Sequence, residues 1–117
     1  MPEEPWSIES YRDRRGRWPV EEFVERLSGP LQAKVLRDVR LLTLDGPRLS
    51  MPLSRPIKGH GFAELRSQFG GDIVRIFYMA IPGHRIILLH GFVKKTQKTP
   101  QQELAIAARR REELLGR

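Results

Sequence analysis

The chain has 117 residues and no cysteine, with 39% hydrophobic residues, 30% charged residues and a formal net charge of +7. The length suits one domain, 1–117, with its own core, and the lack of cysteine excludes disulfides, thiolate metal sites and a cysteine nucleophile and fits a reducing, cytoplasmic compartment. No apolar run approaches a membrane span and Met1-Pro2-Glu3-Glu4 is not a secretory start, so no membrane partner is expected.

Trp6 to Tyr11 alternates apolar and polar residues and predicts a first strand. Arg12-Asp13-Arg14-Arg15-Gly16-Arg17 follows as a charged turn. Pro19 suits the first position of a helix, where its missing N–H leaves no bond unmade. Val20, Phe23, Val24 and Leu27 then share one helical face. Ser28-Gly29-Pro30 ends that helix and starts another, whose stripe is Leu31, Val35, Val39 and Leu42, joined by Leu36 and Leu41. Lys34, Arg37, Asp38 and Arg40 are expected on its wet face, and Asp45-Gly46-Pro47 stops it. The two helices form an antiparallel hairpin that must bury its stripe on another layer.

Residues 46–61, rich in proline and glycine, read as a connector. Phe62–Phe69 is a second strand on which Glu64 and Arg66 share a face. Gly70-Gly71-Asp72 turns the chain into a third strand, 73–81, whose continuous apolar character predicts a central position. After Pro82-Gly83, residues 84–93 form a fourth strand. Strict alternation puts Ile86, Leu88, His90 and Phe92 on one face and Ile87, Leu89, Gly91 and Val93 on the other. Thr99-Pro100-Gln101-Gln102 reads as a capped start of a final helix, and Arg109-Arg110-Arg111 as its solvated face or a partner contact. The predicted fold is α+β: a compact, mainly antiparallel four-stranded sheet, the helical hairpin on one face and a C-terminal helix.

The positive charge is concentrated. Residues 1–53 carry as many acids as bases, whereas residues 54–98 carry eight Lys/Arg against two acids, a net +6. Such clustering attracts a polyanion, and nucleic acid is the commonest. Arg66, Arg75, His90 and the lysines after it converge on the sheet face opposite the helical hairpin. Two other readings stay open at this point: Arg75 as the structural ion-pair partner of Glu64, and His90 as a packed, satisfied histidine. No metal-ligand spacing and no phosphate-binding glycine loop is present. The chemistry that remains is binding of phosphate, or metal-free cleavage of RNA, whose 2′-OH supplies the nucleophile. Cleavage needs alignment, a proton acceptor and donor, and charge stabilisation by Arg or Lys.

Three stretches carry a family resemblance: Phe62-Ala63-Glu64-Leu65-Arg66, Gly70 to Tyr78, and His90-Gly91-Phe92-Val93-Lys94-Lys95-Thr96-Gln97-Lys98-Thr99-Pro100. With the element order, they resemble the RelE/ParE superfamily of bacterial toxins, and within it the phage-derived, HigB-like branch. The resemblance implies a RelE-like fold and the toxin of a type II toxin–antitoxin pair, an mRNA endoribonuclease acting on the ribosome without cofactor or metal. It implies as partners mRNA on the ribosome, an antitoxin with a helix-turn-helix domain, and operator DNA bound by the toxin–antitoxin complex. On this resemblance Arg66, Arg75, His90 and Lys94 form the catalytic set, and Lys58 and Lys95 contact RNA; Arg55 and Lys98, in the same basic segment, are expected to contact it as well. No tyrosine follows Tyr78, so a C-terminal tyrosine base is absent. The alternatives are a ParE-like toxin acting on DNA gyrase and a non-catalytic, nucleic-acid-binding phage regulator.

Overall fold

The structure, a computed structural model, describes residues 4–95 and 100–117. The elements run β1 (Ser7–Ser10), α1 (Pro19–Glu25), α2 (Gly29–Asp45), a 3₁₀ turn (Gly46–Arg48), β2 (Ser54–Ile57), β3 (Phe62–Phe69), β4 (Asp72–Ile81), β5 (Arg85–Lys94) and α3 (Gln101–Leu115). The fold class is α+β as expected, but the sheet has five strands, in the order β1-β5-β4-β3-β2. The extra strand is β2, inside the predicted connector. Its Pro56 argues against a strand by composition, yet proline is tolerated at a sheet edge, and β2 is an edge. β3, β4 and β5 form the expected antiparallel meander, and β1 pairs parallel to β5.

Two cores sandwich the sheet. On one face the hairpin residues Val20, Val24, Leu31, Val35 and Leu42 pack on Leu65, Val74, Ile76, Tyr78, Ile86 and Leu88. On the other, Leu104 and Ala107 of α3 pack on Phe62, Phe77, Met79, Ile87, Leu89 and Phe92. β4 therefore buries residues on both faces, as its unbroken apolar run requires. Two expectations for α2 fail. Leu36 is 51% exposed, whereas Asp38 is buried and paired with Lys34 one turn earlier. The amphipathic stripe is narrower than the run of leucines suggests, and a carboxylate can enter it when a cation comes along.

The alternation of β5 breaks once. Phe77 pairs with His90 while Tyr78 pairs with Leu88, so Leu89 is an extra residue, a β-bulge. Beyond it the faces exchange: His90 and Phe92 join Ile87 and Leu89 beneath α3, and Gly91 turns to the helical hairpin. The assignment of Ile86, Leu88, His90 and Phe92 to one face is thereby corrected. Gly91 has a steric reason, since a Cβ there would lie 2.7 Å from the Phe23 ring of α1. Gly91→Ala is expected to destabilise the fold by about 1–3 kcal/mol, the usual range for overpacking, checked by urea unfolding. No change in the unfolding midpoint would contradict the tight approach of α1 to β5.

Candidate nucleic-acid interface

The face beneath α3 is divided. Aromatic and aliphatic side chains fill the part that α3 covers. Toward the other end of β3 and β4, and at the end of β5, the same face carries charge. The phase of the strands explains this placement. Leu65, Val74, Ile76 and Val93 belong to the hairpin core, so their neighbours Glu64, Arg66, Arg75 and Lys94 project from the opposite face. Arg66 stands directly opposite Arg75 in the β3–β4 register, and Arg55 directly opposite Glu64 in the β2–β3 register.

Glu64 is the anion at the centre of this group. It is 1% exposed. Arg75 Nη1 donates to its Oε1 at 2.8 Å and Arg55 Nε to its Oε2 at 2.9 Å. Arg75 is as deeply buried as Glu64, whereas the Arg55 side chain is 45% exposed. Of the two readings of Arg75, the ion pair with Glu64 is therefore present. Burial lowers the pKa of the Arg75 guanidinium, with the Arg55 and Arg66 charges adding to it, while Glu64 works to raise it. Partial desolvation also lowers the Lys94 ammonium from its ordinary range, and Arg75, Arg66 and Arg55 push the same way against Glu64. Four cations thus sense one another around a single buried carboxylate, a local excess of positive charge.

The remaining predicted site residues are distributed unevenly. Lys95 is exposed directly after β5. Lys98, and the Thr99 expected to cap α3, lie outside the described residues; α3 begins at Gln101, one residue later than predicted. Lys58 is exposed in the turn between β2 and β3, at the far end of β3 from Arg66, on a cleft of about 530 Å3 with Phe62, Tyr78 and Met79. A second cleft, of about 590 Å3, lies beside β1 with Trp18, Ile87 and Leu114. The cationic group lines neither cleft: Arg55 is exposed, Arg66 and Lys94 are partly exposed, and Arg75 is buried. Among the described residues no three His, Asp or Glu side chains gather as a metal site, and no helix is long and apolar enough to cross a membrane.

His90 is set apart from the cations. Its ring lies between Phe77 and Phe92, and its side chain is 13% exposed. Nδ1 accepts from Arg110 Nη1 at 3.4 Å, so Nε2 carries the proton and donates to Glu103 at 3.3 Å. The same Arg110 nitrogen donates at 2.9 Å to the carbonyl of Leu89, the extra residue of the bulge. Arg110 also lies over the Tyr11 ring, and the Tyr11 hydroxyl donates to Glu113. Arg110 is therefore a tether of α3, which corrects its reading as part of a solvated arginine face. Nothing local in sequence announces this contact, because its partners lie 21 and 99 positions away. Burial lowers the His90 pKa, with Glu103 working to raise it. The folded protein then holds this proton less readily than the unfolded chain. The stabilisation from neutral His90 is present above its ordinary value near 6.5 and is lost as the pH falls below it. Urea midpoints should decline from about pH 7 to about pH 5 in the wild type and less so in His90→Gln. An equal decline in both would remove His90 as the cause.

No curated protein matches the chain. Residues 22–112 match the family described as phage-derived protein Gp49-like (DUF891). The matched stretch runs from α1 to the last turn of α3 and includes Arg55, Glu64, Arg66, Arg75 and Lys94. The chain thus belongs to the Gp49-like family of phage-derived proteins, a RelE/ParE-like family.

Proposed function

We propose that the protein is the toxin of a toxin–antitoxin pair and that it cleaves mRNA through the 2′-OH, with the ribosome presenting the strand. The observation that carries this reading is the grouping of Arg55, Arg66, Arg75 and Lys94 around one buried acid on one sheet face. A cationic group outside both clefts suits a polymer better than a small molecule, which is normally held in a concave pocket. Arg66 and Lys94 contact the scissile phosphate, and Arg55 and Lys95 the neighbouring backbone. Arg75, being buried, adds its charge from beneath. The 2′-oxygen attacks phosphorus, the bond to the 5′-oxygen breaks, and the negative charge that develops on the phosphoryl oxygens is met by the arginines.

In this reading the Lys94 ammonium gives a proton to the departing 5′-oxygen, while the 2′-hydroxyl proton passes to solvent water, from which Lys94 is reprotonated. Both nitrogens of His90 are engaged under α3, whereas Lys94 sits at the end of β5 with its pKa already lowered. A lysine so placed exchanges a proton at lower pH than a free one. The expected partners are translated mRNA and a small antitoxin with a helix-turn-helix domain, the complex binding operator DNA.

Arg66→Ala is expected to fold and to lose mRNA cleavage by about 10²-fold or more, the usual result of removing one charge-stabilising donor. Expression in growing cells, with the mRNA ends mapped, reads this out. Growth arrest with intact mRNA and a DNA-damage response would instead favour action on DNA gyrase. Lys94→Arg keeps the charge but cannot release a proton. It should retain RNA affinity yet cleave about 10²–10⁴-fold more slowly, and wild-type cleavage by this variant would remove Lys94 as the proton carrier.

A further inference from the structure

An acid at the centre of an anion-binding surface needs a reason. If positive potential alone mattered, Glu64 would weaken the site. It does not face a ligand, since it is 1% exposed and both oxygens are engaged by guanidinium groups. The two arginines it holds come from different strands. Arg55 lies across the β2–β3 pair and Arg75 diagonally across the β3–β4 pair. β2 is a four-residue edge strand that contains Pro56, a residue with no N–H to give to a ladder. Arg66, directly opposite Arg75, adds a like charge that alone would drive the group apart.

We infer that Glu64 is the positioning residue of the cationic surface: its carboxylate clamps Arg55 to the buried Arg75 and so presets the guanidinium that holds the RNA backbone beside the scissile phosphate. Arg55 commits its Nε to Glu64 while its side chain stays 45% exposed, so the clamp orients a group that a ligand can still reach. Arg75 closes the other side of the clamp within the sheet. The inference rests on the RNA-cleaving reading. Its signature is a separation of rate from affinity. Removing the negative charge raises the local positive potential, so RNA binding should hold or tighten. Losing the fixed geometry should slow cleavage, since displacement of about 1 Å can cost about 10²-fold.

The variant is Glu64→Gln, nearly isosteric and uncharged. Cleavage is followed on a translated mRNA in a reconstituted translation reaction. Affinity is measured for ribosomes carrying an mRNA that is 2′-O-methylated at the cleavage position, which can be bound but lacks the nucleophile. The expected result is cleavage reduced about 100-fold with unchanged or tighter binding. Wild-type cleavage by a folded Glu64→Gln protein overturns the inference, and so does a parallel loss of rate and affinity, which marks a merely structural acid. Should Glu64→Gln not fold, Arg55→Ala carries the test, because it leaves the Arg75–Glu64 pair intact. A cleavage loss larger than its binding loss supports the clamp, and equal losses overturn it. A wild-type protein that neither binds nor cleaves RNA fails the functional reading itself, which the wild-type control separates from failure of the clamp.

Discussion

The buried pair of Arg75 and Glu64 is the constraint on which the charged half of the sheet depends. Both side chains sit inside the fold, and withdrawing two charges from water is unfavourable unless each finds a close partner. Deleting one partner of such a pair typically costs about 3–5 kcal/mol, a large part of the roughly 5–15 kcal/mol that holds a domain together. The pair therefore demands the register it is found in. A one-residue slip of β3 against β4 would send Glu64 and Arg66 into the hairpin core and Leu65 into the charged face. The β3–β4 register and the cationic surface are two consequences of the same pairing.

The second organising feature is the bulge at Leu89. It turns His90 and Phe92 beneath α3, where they complete an aromatic group with Phe62 and Phe77. At the same bulge Arg110 donates to the Leu89 carbonyl. α3 contributes only Leu104 and Ala107 as fully buried apolar side chains. Its position consequently relies on polar tethers as well: His90 with Glu103, Arg110 with Leu89, and Tyr11 with Glu113. The covered part of the face is thus apolar and aromatic, and the uncovered part is cationic.

Much of this was legible in the residues. The alternation of Glu64 with Leu65 and Arg66 put the two charged residues on one face, and the apolar run of β4 announced a central strand. The helix boundaries followed from Pro19, Gly29-Pro30 and Asp45-Gly46. β2 escapes the sequence because a four-residue edge strand with a proline has no periodicity to read. Alternation assigns His90 to the wrong face because it assumes an unbroken ladder, and a single extra residue inverts it. Arg110 reads as solvated or as a partner contact because its partners lie far away in the chain.

The amino-acid sequence alone determined the class of fold, the extents of most elements, the segment that carries the positive charge, and the phase that aligns Glu64 and Arg66. These follow from local rules: helical and strand periodicity, turn residues, and the sign of side chains. Tertiary structure alone decided which cations gather around Glu64, that Arg75 lies beneath the surface, and that His90 serves the docking of α3. Those outcomes depend on the register between strands and on burial. Both are set by cooperative packing of residues distant in the chain, and no local pattern encodes them.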